Sequence, residues 1–508
     1  LHLLRRRQRQ MCIRDRRKPG QMFEKYKKVY KADYEKWYKE NEAYRERVAA
    51  DQDRLKFHLM PKTGWLNDPN GLCQFNGTYH IYYQYTPFEP TGELKTWGHY
   101  TTKDFIHYED FGPVVFPDED IDAHGVYSGS AFIEDDTIHY FYTGNLKYFD
   151  RDDYDYINSG RGSNTITFTS KDGYEFTKKE LLMTTDDYPA DMSNHVRDPK
   201  IFKKNEKYYM VLGARDVEGV GMILLYESTD LKNWTYKNRI TTLQKFGYMW
   251  ECPDYFEVDG TKILSASVQG LEGGVWDDRN VYQSGYFMVD GNILDDYKLS
   301  EYMLWDYGFD FYAPQSFEDE SGRRILIGWM GIPDADYTNP TEEAGWQHAL
   351  TIPRKLSVRD GKLIQEPIEE LKQLRSEDKA VCTFCYGQTI IMQNAIYEAV
   401  VDFKRCREMV MTLREGITLS YKDNILTLNL GVYGSGRSTR KVRLEKLDHL
   451  QIFADTSSLE IFVNHGEEVF TTRIYNHHGR LLINGECSGI MTVYPLKSFE
   501  IEGGRHEE

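Results

Sequence analysis

The sequence predicts an all-β protein: a five-bladed β-propeller followed by a C-terminal β-sandwich, with a short helical N-terminal extension. Three observations predict it. From residue 65 to about 365, short aromatic and β-branched runs are punctuated by Asn-Gly, Asp-Asp, Asp-Gly and Ser-Gly pairs, which are hairpin signals. Five of these hairpins repeat one layout, a small or acidic cluster followed by a strand, a polar turn and a second strand. They start roughly 55 to 70 residues apart, enough for about four strands per repeat. Beyond about Val381 alternating strands resume without that repeat. Self-similar antiparallel units of this size close radially, so the five clusters are expected to converge on one axis. The alternative is a set of coincidental hairpins in a sandwich.

The chain is read in order as follows. Residues 1–20 carry eight basic residues and one acid and do not begin with Met; they look compositionally foreign and read as a non-native leader. Their apolar part is too short for a signal-peptide core. Residues 21–56 are charged and Tyr-rich, lack Gly and Pro after Gly20, and read as one or two surface helices. The propeller is assigned to 57–365. A short linker helix with Pro367 at its start falls in 366–380, and the sandwich of about 120 residues occupies 381–508. The tail after Gly503 is expected to be disordered.

The 508 residues include 14% aromatics, among them 38 Tyr, and carry a net charge of -17. Without the leader, 55 basic and 79 acidic residues remain, a net of -24. That balance argues against nucleic acid or an anionic membrane as partner. No apolar run is long enough to span a bilayer. Seven cysteines, with only Cys382 and Cys385 close together, fit reduced thiols in a cytoplasmic setting better than zinc. No metal-ligand cluster stands out, and no cofactor is expected.

The repeat starts carry the chemistry. They are Asn67-Asp68-Pro69, Tyr127-Ser128-Gly129-Ser130, Arg197-Asp198-Pro199, Glu251-Cys252-Pro253-Asp254 and Ala313-Pro314-Gln315. Three acids, Asp68, Asp198 and Glu251, are expected in matching register. Cleaving a glycosidic bond with retention needs two carboxyl groups about 5–5.5 Å apart, a nucleophile and a proton donor. Asp68, before a proline and so pushed to extended backbone with its strand starting at about Pro69, lies among the donors Asn67 and Asn70 and reads as the ionised nucleophile. Glu251, flanked by Trp250, Cys252 and Pro253, reads as the acid kept protonated by desolvation. Arg197 should hold Asp198 as a carboxylate that supports an oxocarbenium-like transition state. Gln84, Ser128 and Ser130 can bond hydroxyls, and Trp97 and Trp329 offer stacking faces; Trp65, Asn67, Tyr127 and Arg197 complete the candidate sugar cradle. His58, His99 and His124 are assigned no chemistry. Without convergence, each of these groups is an ordinary turn or core residue.

Several motifs together resemble glycoside hydrolase family 32. They are Trp-Leu-Asn-Asp-Pro-Asn-Gly (65–71), Tyr-Gln-Tyr (83–85), Trp-Gly-His (97–99), Tyr-Ser-Gly-Ser-Ala (127–131), Arg-Asp-Pro (197–199), Trp-Glu-Cys-Pro-Asp (250–254) and Tyr-Ala-Pro-Gln-Ser (312–316). Residues 455–464 resemble the family's second domain. The resemblance implies the same propeller and sandwich. It implies Asp68 as nucleophile, Asp198 as transition-state stabiliser and Glu251 as acid/base. The substrate implied is a terminal β-D-fructofuranoside, sucrose or sucrose 6-phosphate. The alternatives are a fructan hydrolase or fructosyltransferase acting on short fructans, an inverting arabinanase-like enzyme, and a non-catalytic sugar-binding propeller. Thr86 stands where the family often has Asn. Oligomeric state is not legible.

Overall fold

The computed structural model describes residues 28–149, 154–271, 280–387 and 394–504. The leader, the tail beyond Gly504 and the first part of the expected helical extension lie outside them. Two helices, Lys31–Glu40 and Glu42–Ala49, open the described chain. The first is capped where Asp33 Oδ2 accepts the Tyr30 N–H at 2.9 Å, and it ends where Asn41 Nδ2 donates to Trp37 O at 2.8 Å. Trp37 packs edge-on against Phe88 at 5.2 Å, and Val48 is buried with Leu55, Met60, Met330 and Trp346. The helical extension is thus an external brace on the β-structure.

The remainder is all-β: a propeller-like array of sheets, then a sandwich-like sheet. Four sheets of the array are built from strands in chain order, opening with Val126–Glu134, Met192–Lys204, Met249–Val258 and Tyr312–Glu318. The expectation of five equivalent blades is therefore met only in part. The other sheet is a six-stranded composite. Its consecutive strands Gly64–Phe75, Thr78–Thr86, Thr96–Thr102 and His107–Val115 are flanked by Trp346–Gln347 on one side and Glu500–Gly503 on the other, both parallel. The first strand starts at Gly64 rather than near Pro69 because Trp65 and Leu66 pair with Thr86 and Tyr85 while Gly64 and Trp65 pair with Trp346 and Gln347.

Hairpins occur at all five expected places. Asn76-Gly77, Asp135-Asp136, Asn205-Glu206 and Asp259-Gly260 each take positive φ at both turn residues, the geometry whose twist matches the flanking strands. A second regularity was not expected. In each of the five sheets the innermost strand carries one extra residue at its motif. Two residues face one: Asn67-Asp68, Tyr127-Ser128, Asp198-Pro199, Cys252-Pro253 and Ala313-Pro314. Such bulges bend a strand and re-aim its side chains. Asp198, Cys252 and Ala313 sit at φ 66°, 46° and 46° directly before proline, a sparsely allowed state held by the surrounding sheet. Gly129 follows its bulge so closely against the next strand that a Cβ would lie 2.0 Å from Phe141 O.

The linker differs from its expected helix. Lys362–Pro367 continues as a strand, and only Glu369–Leu374 turns, as a 3₁₀ helix. Gln365 holds the strand extended, donating to Trp305 O at 2.7 Å and accepting from Arg354 at 2.9 Å. The nine-stranded sheet that follows is organised on Tyr397–Arg414, which pairs with Gly479–Pro495 along most of its length. Its inward residues, among them Val401, Met411, Leu428, Ile452 and Ile483, form a separate apolar core.

A buried polar joint connects array and sandwich. His58 lies between Asp455 and Glu460 at 2.8 and 3.0 Å, with no side-chain exposure on any partner. Burial opposes its charge, but the two carboxylates outweigh this and raise it to about 9, so it is a structural cation. Arg354 pairs with Glu460 and Asp306, and Arg437 with Asp310.

Candidate active site

The bulges bring the three acids together, but not in matching register. Glu251 is the last paired residue before its bulge, Asp198 the first residue within one, and Asp68 the second. The stagger lets three different strands present carboxylates at three positions around one hollow. Cys252 Sγ stands between two of them, 3.6 Å from Asp68 Oδ2 and 3.7 Å from Asp198 Oδ2. The backbone N–H of Cys252 also donates to Asp198 Oδ2 at 3.0 Å.

A directed chain of hydrogen bonds ends on Asp68. Trp65 Nε1 donates to Asn67 Oδ1 at 2.8 Å, and the Asn67 amide donates to Gln84 Oε1. Gln84 Nε2 donates to Ser128 Oγ at 2.8 Å, and Ser128 donates to Asp68 Oδ2. Asn67 Nδ2 also reaches Asp68 Oδ1 at 3.2 Å. This fixes the carboxylate and leaves it acceptor-only. Burial raises the Asp68 carboxyl; the Ser128 and Asn67 hydrogen bonds oppose that, and the nearby Glu251 charge adds to it.

Arg197 is not where the sequence placed it. Its Nη2 donates to Glu251 Oε1 at 2.6 Å, whereas Asp198 lies 3.9 Å from its Nε. Burial consequently dominates Asp198 and pushes it up to about 7, with Arg197 countering and Glu251 reinforcing. Glu251 in turn accepts Tyr312 Oη and Gln269 Nε2 at 2.7 Å each. Trp250 does not line the site beside it as expected: that ring stacks on Phe287 inside the sheet layer and its N–H bonds Phe246 O.

The other candidates divide. Trp65 and Trp329 meet edge-on at 5.9 Å beside the site, and the buried Trp329 Nε1 has no hydrogen-bond partner. Tyr127 is half-exposed, and burial of its hydroxyl pushes it up to about 12, with Arg197 and Asp198 close by. Two candidates are corrected. Trp97 is 0% exposed, packed on Tyr82, Tyr142 and Phe168, so it is core and offers no stacking face. Ser130 donates to Pro199 O at 2.7 Å and ties two sheets together. Of the histidines, His99 stacks on Tyr82 at 3.9 Å and His124 Nδ1 accepts the Lys147 N–H. Among the described residues no group of three or more His, Cys, Asp or Glu gathers as metal ligands, all six described cysteines are free thiols, and no helix is long and apolar enough to cross a membrane.

Sequence reasoning missed Tyr312, Gln269 and Lys95. Tyr312 occupies the bulge position equivalent to Glu251, a signal that aligning the five motifs would expose. Gln269 comes from the facing strand and has no motif. Lys95, its ammonium 5.0 Å from the Trp65 ring centre, is lowered to about 7 by burial, with Glu89 and Asp68 opposing.

The chain is similar to known glycoside hydrolases along most of its length. Residues 58–367 match the model of the glycosyl hydrolases family 32 N-terminal domain, and 388–493 that of the family 32 C-terminal domain. A sucrose-6-phosphate hydrolase of Staphylococcus xylosus is 36% identical over 95% of this chain and 98% of its own. The structure of a sucrose-6-phosphate hydrolase from Lactobacillus gasseri superposes with TM-score 0.81 at 28% identity, covering 90% of this chain and 96% of that one. A Bombyx mori β-fructofuranosidase variant in complex with sucrose superposes at 0.77 with 27% identity, covering 92% of this chain and 100% of that one.

Proposed function

The chain belongs to glycoside hydrolase family 32 and is a fructofuranoside-cleaving glycosidase, and on that premise we propose that it hydrolyses sucrose or sucrose 6-phosphate with retention, using Asp68, Glu251 and Asp198. The observation that carries the proposal is the meeting of these three acids, from sheets far apart in sequence, around Cys252 and Arg197. Asp68 attacks the anomeric C2 of the fructosyl unit. Glu251 gives a proton to the glycosidic oxygen, and the glucosyl group leaves with the bonding electron pair. The resulting fructosyl ester on Asp68 is opened by water, whose proton passes to Glu251. Asp198 grips fructosyl hydroxyls and faces the positive charge that develops at C2. Trp65, Asn67, Gln84, Ser128, Tyr127 and Trp329 shape the fructosyl pocket.

We count the composite sheet as the fifth blade, because the innermost strands of all five sheets touch in cyclic order. The free thiols suit a cytoplasmic enzyme. The test is product analysis on sucrose, sucrose 6-phosphate and inulin, with NMR of the first-formed fructose. Release of β-fructose from sucrose or its phosphate is expected. An inverted anomer would remove Asp68 as nucleophile, and a clear preference for inulin would make the enzyme a fructanase.

A further inference from the structure

We propose that Arg161 and Arg215 form a phosphate-binding subsite on the leaving-group side of the cleft, an inference that rests on the fructosidase reading above. The chain as a whole is acidic, at -17, and this side of the site is the exception. Arg197 Nη1 donates to His195 Nδ1 at 2.7 Å, and His195 Nε2 reaches Tyr156 O at 3.3 Å. Arg161 lies over the Tyr156 ring at 5.3 Å and over Tyr127 at 5.6 Å, while Arg215 lies over Tyr248 at 4.9 Å. His195 cannot supply charge itself, because burial and then Arg161, Arg197 and Arg215 hold it well below its ordinary value. The positive charge therefore comes from the arginines, with Lys147 and Lys245 close to them.

Of the three, Arg197 is already committed to Glu251. Arg161 is 1% exposed, yet its contacts are neutral: Asn145 Oδ1 at 2.7 Å and Tyr156 Oη at 3.2 Å. Among the described residues it has no carboxylate partner, nor has Arg215, and the Nε of each is buried without an acceptor. Of the other fully buried arginines, Arg473 is likewise held by neutral groups, Ser457 O and Oγ, and the rest are treated differently. Arg354 and Arg437 are ion-paired, and Arg414 is surrounded by four backbone carbonyls. A buried guanidinium without an anion is costly, and its planar fork of donors matches a phosphate. Position identifies the ligand. The cluster adjoins Glu251 through Arg197, and Glu251 protonates the leaving oxygen. The phosphate is therefore carried by the leaving hexose, as in a disaccharide phosphorylated on its glucosyl unit.

The test compares kcat/KM for sucrose 6-phosphate and sucrose in wild type, Arg215→Gln and Arg161→Lys. Wild type should prefer the phosphate, and each variant should lower that preference about tenfold, the scale of one charge-assisted hydrogen bond. A second arm titrates glucose 6-phosphate and glucose into Asp68→Asn protein by calorimetry. Tighter binding of the phosphate, weakened by Arg215→Gln, is expected. Equal rates on both sugars, or variants that slow both alike, would overturn the subsite while leaving the fructosidase intact. If neither sugar is cleaved the fructosidase reading falls, and glucose 6-phosphate binding no tighter than glucose overturns the arginine pair independently.

Discussion

Two of the buried clusters of acids and bases in this molecule are built to opposite ends. At the joint with the sandwich, His58, Arg354 and Arg437 face Asp455, Glu460 and Asp310, nearly every carboxylate oxygen is paired, and all three acids are held below their ordinary range, although burial pushes the other way. Asp306, sharing Arg354 with Glu460, is the exception and is pushed up to about 6. At the bulges, three acids share essentially one guanidinium, and burial wins at Asp68 and Asp198. The same side-chain types thus give a clamp where charges balance and a reactive site where they do not. The imbalance is stabilising to nothing in the free protein; it becomes useful only when a positive sugar-derived centre forms among the acids.

The largest expected effect separates the clusters by activity. Asp68→Asn and Glu251→Gln should each lower kcat by about 10⁴-fold or more, as losses of primary catalytic groups do, with thermal stability unimpaired in a melting scan. Asp455→Ala should do the reverse. Removing one partner strands a buried His58 cation and should cost about 3–5 kcal/mol in urea unfolding, while kcat per folded molecule stays near wild type. The joint also carries its own pH signature. His58 is raised in the fold, so its contribution is complete below the ordinary histidine value near 6.5 and disappears as pH climbs through about 9. Asp455 and Glu460 are lowered, so their contribution is lost on acidification instead. Melting temperature against pH should therefore fall on the alkaline side in wild type and do so less in His58→Gln.

Asp198→Asn sharpens the contrast at smaller scale. A carboxyl raised from 3.8 to about 7 weakens the fold increasingly as pH rises from about 4 to 7. The variant should then be inactive yet about 1–3 kcal/mol more stable at pH 8, the advantage vanishing below pH 4. The smallest test lies within one motif. Ser128→Ala should slow turnover about 10–100-fold, because Asp68 loses its donor. Ser130→Ala should leave kcat unchanged and cost about 1 kcal/mol, because only the tie to Pro199 O is lost.

Ser128 and Ser130 also mark how far the sequence could be read. Hairpins, turn residues and the three acids were legible because strand alternation and turn chemistry are local properties. Matching register was wrongly inferred because a one-residue bulge is invisible until the facing strand is known. With that extra residue the Arg197 guanidinium pairs with Glu251 rather than Asp198, and burial is left to raise Asp198. Trp97 differs from its expected role for a related reason, since a large ring at the start of a strand fits a sugar or a core equally well until the neighbouring sheet supplies Tyr142 and Phe168. The short pairing of Trp346–Gln347 with Gly64–Trp65 had no sequence signal at all.

The composite first sheet bears on how the protein is born. The strand that holds Asp68 acquires one neighbour from residue 346, and the far margin of its sheet is closed by Glu500–Gly503. Until synthesis has passed residue 503, His107–Val115 presents an open row of amides and carbonyls to whatever chain is nearby. From the synthesis of residue 115 until that of residue 503 the nascent polypeptide therefore carries its sugar-cleaving sheet with one margin open to mispairing.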